Sequence, residues 1–217
     1  MKSFKLFSFL AIFIFTNVFC SINCESASSK KSDKKMEKSE TGTPVSVRPQ
    51  YEITVTQAEK ELGIITIETF PEEAPKHAEN FDSLVKIGFY DGTAFHRVIP
   101  GFMIQGGDPN TKNFPNERQR WGSGDPSQTR IPAEFNADKP NWTHKRGIMS
   151  AARTNDPNSA TSQFFLMHKD SPHLDKQYSI YGQVLSGLEI VDIIANTPRG
   201  ANDQPNETIT MRIKRIN

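Results

Sequence analysis

The sequence predicts a mainly β domain, an antiparallel barrel with its ends covered. Short segments rich in β-branched and aromatic residues recur from Ile53 to Ile216, two separate stretches carry helical spacing, and no internal repeat is apparent. At 217 residues, 35% hydrophobic and 24% charged, the chain suits one globular domain with extra segments.

Residues 1–24 have the layout of an export signal. Lys2 and Lys5 precede an apolar run over residues 6–18, followed by small and polar residues. The run is shorter than the about 20 residues a membrane-spanning helix needs. Two processing routes stay open. Cleavage after Cys20, with Val18 and Cys20 as the small residues, releases a soluble protein beginning at Ser21; alternatively Ser21-Ile22-Asn23-Cys24 resembles a relaxed bacterial lipoprotein box with Cys24 as the lipidated residue, Ser replacing the usual Leu. Both routes lead out of the cytoplasm, to a periplasmic, extracytoplasmic or secreted location, the second with a lipid anchor at Cys24; an uncleaved N-terminal anchor is disfavoured by the length of the run and by Thr16 and Asn17 inside it. Both cysteines lie in this segment, so the mature domain has no internal disulfide and cysteine chemistry is excluded. Residues 25–49 are rich in Ser and Lys, with acids interleaved among the lysines. They read as a disordered tether rather than a basic arm for anionic lipid.

The domain follows over residues 50–217. Residues 53–55 and 63–70 alternate apolar and polar side chains as half-buried strands do, and should pair as a hairpin. A turn leads into residues 75–87, where Ala78, Phe81, Leu84 and Val85 share one helical face. This helix should close one end of the barrel. After a return loop over residues 88–92, residues 95–99 form a strand, Pro100-Gly101 a turn and residues 102–105 the next strand; Gly106-Gly107-Asp108 lets the chain leave sharply. This corner sets Arg97 and Gln105 beside Phe102 and Met103. Residues 110–132 form a long polar loop containing Gly122-Ser123-Gly124-Asp125, which lacks the Gly-Lys-Ser/Thr ending of a phosphate loop. Strands follow over residues 148–152, 163–167 and 178–184, then a second helix over 188–196 with Leu188, Val191, Ile194 and Ala195 at helical spacing, and a last strand over 207–216.

The stretch Phe95-His96-Arg97-Val98-Ile99-Pro100-Gly101-Phe102-Met103-Ile104-Gln105-Gly106-Gly107-Asp108 resembles the signature of the cyclophilin-type peptidyl-prolyl isomerases almost letter for letter. Two further blocks follow in that family's order. Gly147-Ile148-Met149-Ser150-Ala151-Ala152-Arg153 leads to residues 158–165, and Leu174-Asp175 leads to Tyr178-Ser179-Ile180-Tyr181-Gly182. The resemblance runs from about residue 53 to the end. It implies a closed eight-stranded antiparallel barrel capped by two helices, a monomer acting on proline-containing polypeptides, and no cofactor.

Rotation about a prolyl peptide bond breaks amide resonance, a barrier of roughly 18–20 kcal/mol, without breaking a covalent bond. A catalyst need only hold the proline in an apolar pocket, grip the flanking backbone and favour the twisted amide over the planar one. In the twisted state the prolyl nitrogen regains its lone pair, and a positioned guanidinium donates to it without losing its own proton. Arg97 is therefore the expected catalytic residue. The resemblance implies that Phe102, Met103, Phe165 and Leu174 form the proline pocket, and that Gln105, Ala152, Arg153 and Gln163 grip backbone or position Arg97. It also places His96 in the site, without an acid–base role, and Gly122 on a loop beside the groove. His173 stands at the rim where many members carry Trp, and Tyr178 where the best-known eukaryotic members carry His. Loss of the indole donor implies weak binding of cyclosporin-type ligands.

A non-catalytic proline-binding module would show damage at Arg97 or the pocket, and the sequence shows none. A hydrolase lacks its Gly-x-Ser-x-Gly elbow or a reactive thiol. His77-Ala78-Glu79 is similar to a zinc deaminase motif whose Pro-Cys-x-x-Cys partner is absent, and the five histidines form no ligand cluster, so no metal is expected. A net charge of +1 gives no case for nucleic acid as a partner. Asn141-Trp142-Thr143 and Asn206-Glu207-Thr208 are glycosylation triplets in a eukaryotic host.

Overall fold

The structure, a computed structural model, describes residues 47–135, 138–139 and 142–217. The export signal, Cys24, most of the tether and Asn141 lie outside the described residues. The first hairpin pairs β1 (Gln50–Gln57) with β2 (Lys60–Thr69), Ile53 opposite Ile65. Its tight turn takes Ala58 and Glu59 into positive φ, 47° and 65°, which joins two right-twisted strands without a glycine. Strands β3 (Arg97–Ile99), β4 (Met103–Gly106), β5 (Ile148–Ala151), β6 (Phe164–Met167), β7 (Ile180–Ser186) and β8 (Ile209–Arg215) complete an eight-stranded antiparallel sheet in the order β3-β4-β6-β5-β7-β2-β1-β8.

The sheet curls until its ends meet, but β3 and β8 do not pair as strands. The join is made by the segment before β3, where Gly92 and Phe95 donate to the carbonyls of Met211 and Ile209 and the Met211 amide donates to Thr93. Beyond that bridge, among the described residues, β3 is bonded to β4 alone.

Helix α1 (Pro75–Lys86) starts on a proline, whose missing N–H belongs to the unpaired first turn anyway. It buries Ala78, Phe81 and Val85, with Leu84 partly buried against the same core. Phe81 meets Tyr51, Tyr90 and Phe164 with ring centroids 5.1, 5.2 and 5.9 Å away. A short α2 (Asn110–Asn113) lies in the predicted long loop. Helix α3 (Leu188–Ala195) buries Ile190, Val191, Ile194 and Ala195. The sequence reading put Leu188 on that face; the structure puts Ile190 there. The cause is the entry at Gly187, φ 88°, which brings the helix so close to β2 that Ile190 fills the space a side chain at Gly63 would need.

Strands β4 and β6 feed two apolar clusters, one on each face. On β6, Phe164 and Leu166 enter the main core while Phe165 and Met167 enter a smaller cluster outside it; on β4, Ile104 points in and Met103 points out. Successive side chains alternate across a strand, so a fully apolar run such as Phe-Phe-Leu-Met supplies both faces. The outer cluster, joined by Leu174, Phe102, Ile99, Ala152 and Tyr178, is the site.

Candidate active site

Arg97 and Gln105 are paired residues on β3 and β4 and lie on the same outer face as Met103. Across β4, Gln105 faces Phe165 of β6. The tight turn at Gly101, φ 77°, returns the chain so that Phe102 stands over this face. Arg97, Phe102, Met103, Gln105, Ala152, Arg153, Phe165, Leu174 and Tyr178 line one cavity of about 100 Å³. Its floor is apolar. Met103, Phe165 and Leu174 are buried, whereas the Arg97 side chain keeps 44% of its exposure and, among the described residues, reaches no closer than 3.9 Å to a carboxylate, that of Asp203. The guanidinium is thus held near the mouth with donors free for a ligand.

A second, more polar cavity of about 220 Å³ adjoins the first and shares Gln105, Ala152 and Arg153 with it. Gly122 and Gln163 line this neighbour rather than the apolar cavity. They are linked to it by a relay: Gln105 Nε2 donates to Gln163 Oε1 over 3.1 Å, and Gln163 Nε2 donates to the Gly122 carbonyl over 3.2 Å. Arg153 is fixed by donation to the carbonyls of Gln177 and Thr154, with its guanidinium 4.4 Å from the Tyr178 ring centre. His173 stacks on Phe102 at the rim, 5.6 Å between centroids, and lines neither cavity.

His96 departs from the expectation that it faces the site. It is 3% exposed, lies beneath Gly122, and among the described residues neither ring nitrogen has a hydrogen-bond partner. Burial pushes its pKa down to about 4, against the nearby Asp108 carboxylate, so the ring is neutral at pH 7. A buried neutral imidazole between loop and strand acts as packing.

Three supporting groups carried no assignment in the sequence. Asp108 is fully buried and accepts from the amides of Asn110 and Gly122, which ties the loop bordering the polar cavity to β4. His144 stacks behind Phe165; its Nδ1–H donates to Asp175 over 2.9 Å and Nε2 accepts from the Ser150 hydroxyl over 3.0 Å. Ser150 is fully buried, so this row holds the pocket floor and has no access to substrate. Asp203, in the Arg97 contact, comes from a turn a hundred residues along the chain. Only Asp108 was visible beforehand, as the last letter of the signature stretch.

Fold and site together define a curled β-sheet protein with a small apolar cup, a guanidinium at its lip and an adjoining polar cavity. The comparisons make the assignment specific. The family model for the cyclophilin type peptidyl-prolyl cis-trans isomerases matches residues 51–216, and the chain belongs to that family. It is 40% identical over 157 residues to a Brucella abortus protein named a probable peptidyl-prolyl cis-trans isomerase, covering 70% of this chain and 78% of that one. A peptidyl-prolyl cis-trans isomerase of Acinetobacter baylyi is 39% identical over 176 residues, covering 76% and 87%. Among solved structures, a cyclophilin type isomerase of Cryptosporidium parvum superposes with TM-score 0.66 at 28% identity, over 79% of this chain and 99% of that one. The same parasite enzyme has been crystallised in the presence of the dipeptide Ala-Pro, giving TM-score 0.64 at 29% identity over 77% and 99% of the two chains.

Proposed function

We propose that this isomerase turns Xaa-Pro bonds by seating the proline ring in the cavity floored by Met103, Phe165 and Leu174, with Arg97 donating to the prolyl nitrogen as the amide twists. The observation that carries this is the placement of an unoccupied guanidinium at the lip of an apolar cup. The planar amide nitrogen is a poor acceptor because its lone pair is delocalised; the twisted nitrogen is a good one. The bond therefore strengthens at the transition state and lowers the barrier rather than merely improving binding. Gln105 and the polar cavity grip the flanking chain. No proton is transferred, which agrees with a neutral, buried His96.

Residues 1–24 support export of the domain before it acts, so its substrates are polypeptides folding outside the cytoplasm, as a folding catalyst serves them.

The test is the isomerisation rate of a short Xaa-Pro peptide with the purified protein and its Arg97→Ala and Arg97→Lys forms. Removing the donor lowers kcat/KM by about 10²–10³, as for loss of an oxyanion-hole donor, and Lys restores little because it lacks the planar fork. Unchanged activity in Arg97→Ala would remove Arg97 from the mechanism. No acceleration by folded wild-type protein would leave a proline-binding module.

A further inference from the structure

We propose that His168 is a positioning residue for the proline pocket, its ring tying the turn that carries Phe102 to helix α3. The inference rests on the isomerase reading for its activity readout only. His168 directly follows β6. Its Nδ1 accepts from the Gly101 amide over 2.8 Å, so the ring proton sits on Nε2, 3.1 Å from Asp192 Oδ1 on α3. Asp192 is itself clamped by a forked Arg146, with Nη1 and Nη2 at 2.7 and 2.9 Å, and Arg146 Nη1 also donates to the His168 carbonyl. The backbone closes the same knot, since the amides of His168 and Lys169 both donate to the Phe102 carbonyl. The segment Gly101-Phe102 is thus held by three bonds from one short stretch. Phe102 is a cavity wall that is only partly buried, stacked by His173 at the rim. A wall on a turn needs such an anchor; walls on β4 and β6 do not.

The arrangement works in one tautomer and one charge state. Protonation at Nδ1 sets two donors face to face and breaks the Gly101 bond. The ring's surroundings settle which state holds: burial lowers its pKa, Asp192 opposes, and Arg146 and Lys169 push it further down. At neutral pH the ring is uncharged and the turn is tied; on acidification the tie is lost while the ion pair to Asp192 remains.

The experiment follows kcat and KM for an Xaa-Pro peptide, and the Gly101 amide resonance by NMR, from about pH 4.5 to pH 8 in wild type, His168→Asn and His168→Leu. Asn offers an acceptor that does not titrate; Leu offers none. The expected result is a KM for wild type that rises about two- to tenfold on acidification with kcat little changed, a flat profile for His168→Asn, and a KM already raised at pH 8 for His168→Leu. The Gly101 resonance should move with the titration in wild type and stay still in His168→Asn, whether or not the protein is active. If His168→Leu does not fold, the wild-type and Asn profiles decide. A wild-type Gly101 signal indifferent to pH, or the same acid-side rise in KM in His168→Asn, overturns the proposal, whereas absence of catalysis in wild type at pH 8 overturns the isomerase reading instead.

Discussion

Arg97 and Gln105 stand directly opposite one another on β3 and β4, so the donor proposed for the prolyl nitrogen and the amide proposed to grip the neighbouring residue are set by a single cross-strand pair. Their spacing is that of the ladder itself. What the ladder leaves free is the direction of the Gln105 side chain, and Gln163 settles it by accepting its amide while donating to Gly122.

Replacing Gln163 by Leu should therefore loosen Gln105 without unfolding anything. Both broken bonds lie in an open groove where water can take over, so the melting temperature changes little. The loss appears in kcat/KM, about fivefold for one neutral hydrogen bond of about 1 kcal/mol.

Phe102 and Phe165 both line the cup but hold different places in the packing. Phe165 is 5% exposed and wedged between His144 and Tyr178, so Phe165→Ala should cost about 3–5 kcal/mol of stability. Phe102, on the turn, is only partly buried, and Phe102→Ala should raise KM with a much smaller stability loss. Urea unfolding beside steady-state kinetics separates the two.

Acid should weaken the fold through its buried histidines. His96 has its pKa pushed down to about 4 by burial, and His77 and His144 are lowered for the same leading reason. The unfolded chain binds a proton near pH 6.5 and the folded one does not, so stability is full above that value, falls as pH drops towards about 4, and levels off below. His96 alone accounts for on the order of 3 kcal/mol of that fall. Urea midpoints at pH 7 and about pH 4.5 should differ less in His96→Phe than in wild type.

At the rim, His173 stacks on Phe102, at the position where the family resemblance implies an indole in many members. Cyclosporin-type ligands should bind weakly, and His173→Trp should tighten them about tenfold by supplying an indole N–H donor on a larger ring, read by titration calorimetry. The same change should leave prolyl isomerisation near wild type.

The sequence was most informative where chemistry and local periodicity coincide. The alternation along β1 and β2, the helical face of α1 and the turn at Pro100-Gly101 are all local, and each was placed to within a few residues. The cup residues Phe102, Met103, Phe165, Leu174 and Tyr178 could be gathered only through the family resemblance, because they come from four separate segments. Periodicity could not distinguish Phe164, which enters the core, from Phe165, which enters the site. His96 was set in the site although it lies under Gly122, since a residue beside Arg97 in sequence turns to the opposite face of the strand. The contacts of Asp108 with Gly122, Asp175 with His144 and Asp203 with Arg97 are out of reach of the sequence because their partners are brought close by topology, with no spacing rule to announce them.

The two faces of β4 and β6 carry one further consequence. With core and cup alternating residue by residue along the same strands, the reading frame of the strand is itself a determinant of activity. One residue inserted before Phe164 would send the cup side chains of β6, Phe165 and Met167, into the barrel and its core side chains, Phe164 and Leu166, out, exchanging both of that strand's sets at once. Catalytic competence and foldability are therefore inherited together here, as a single phase of one two-residue rhythm.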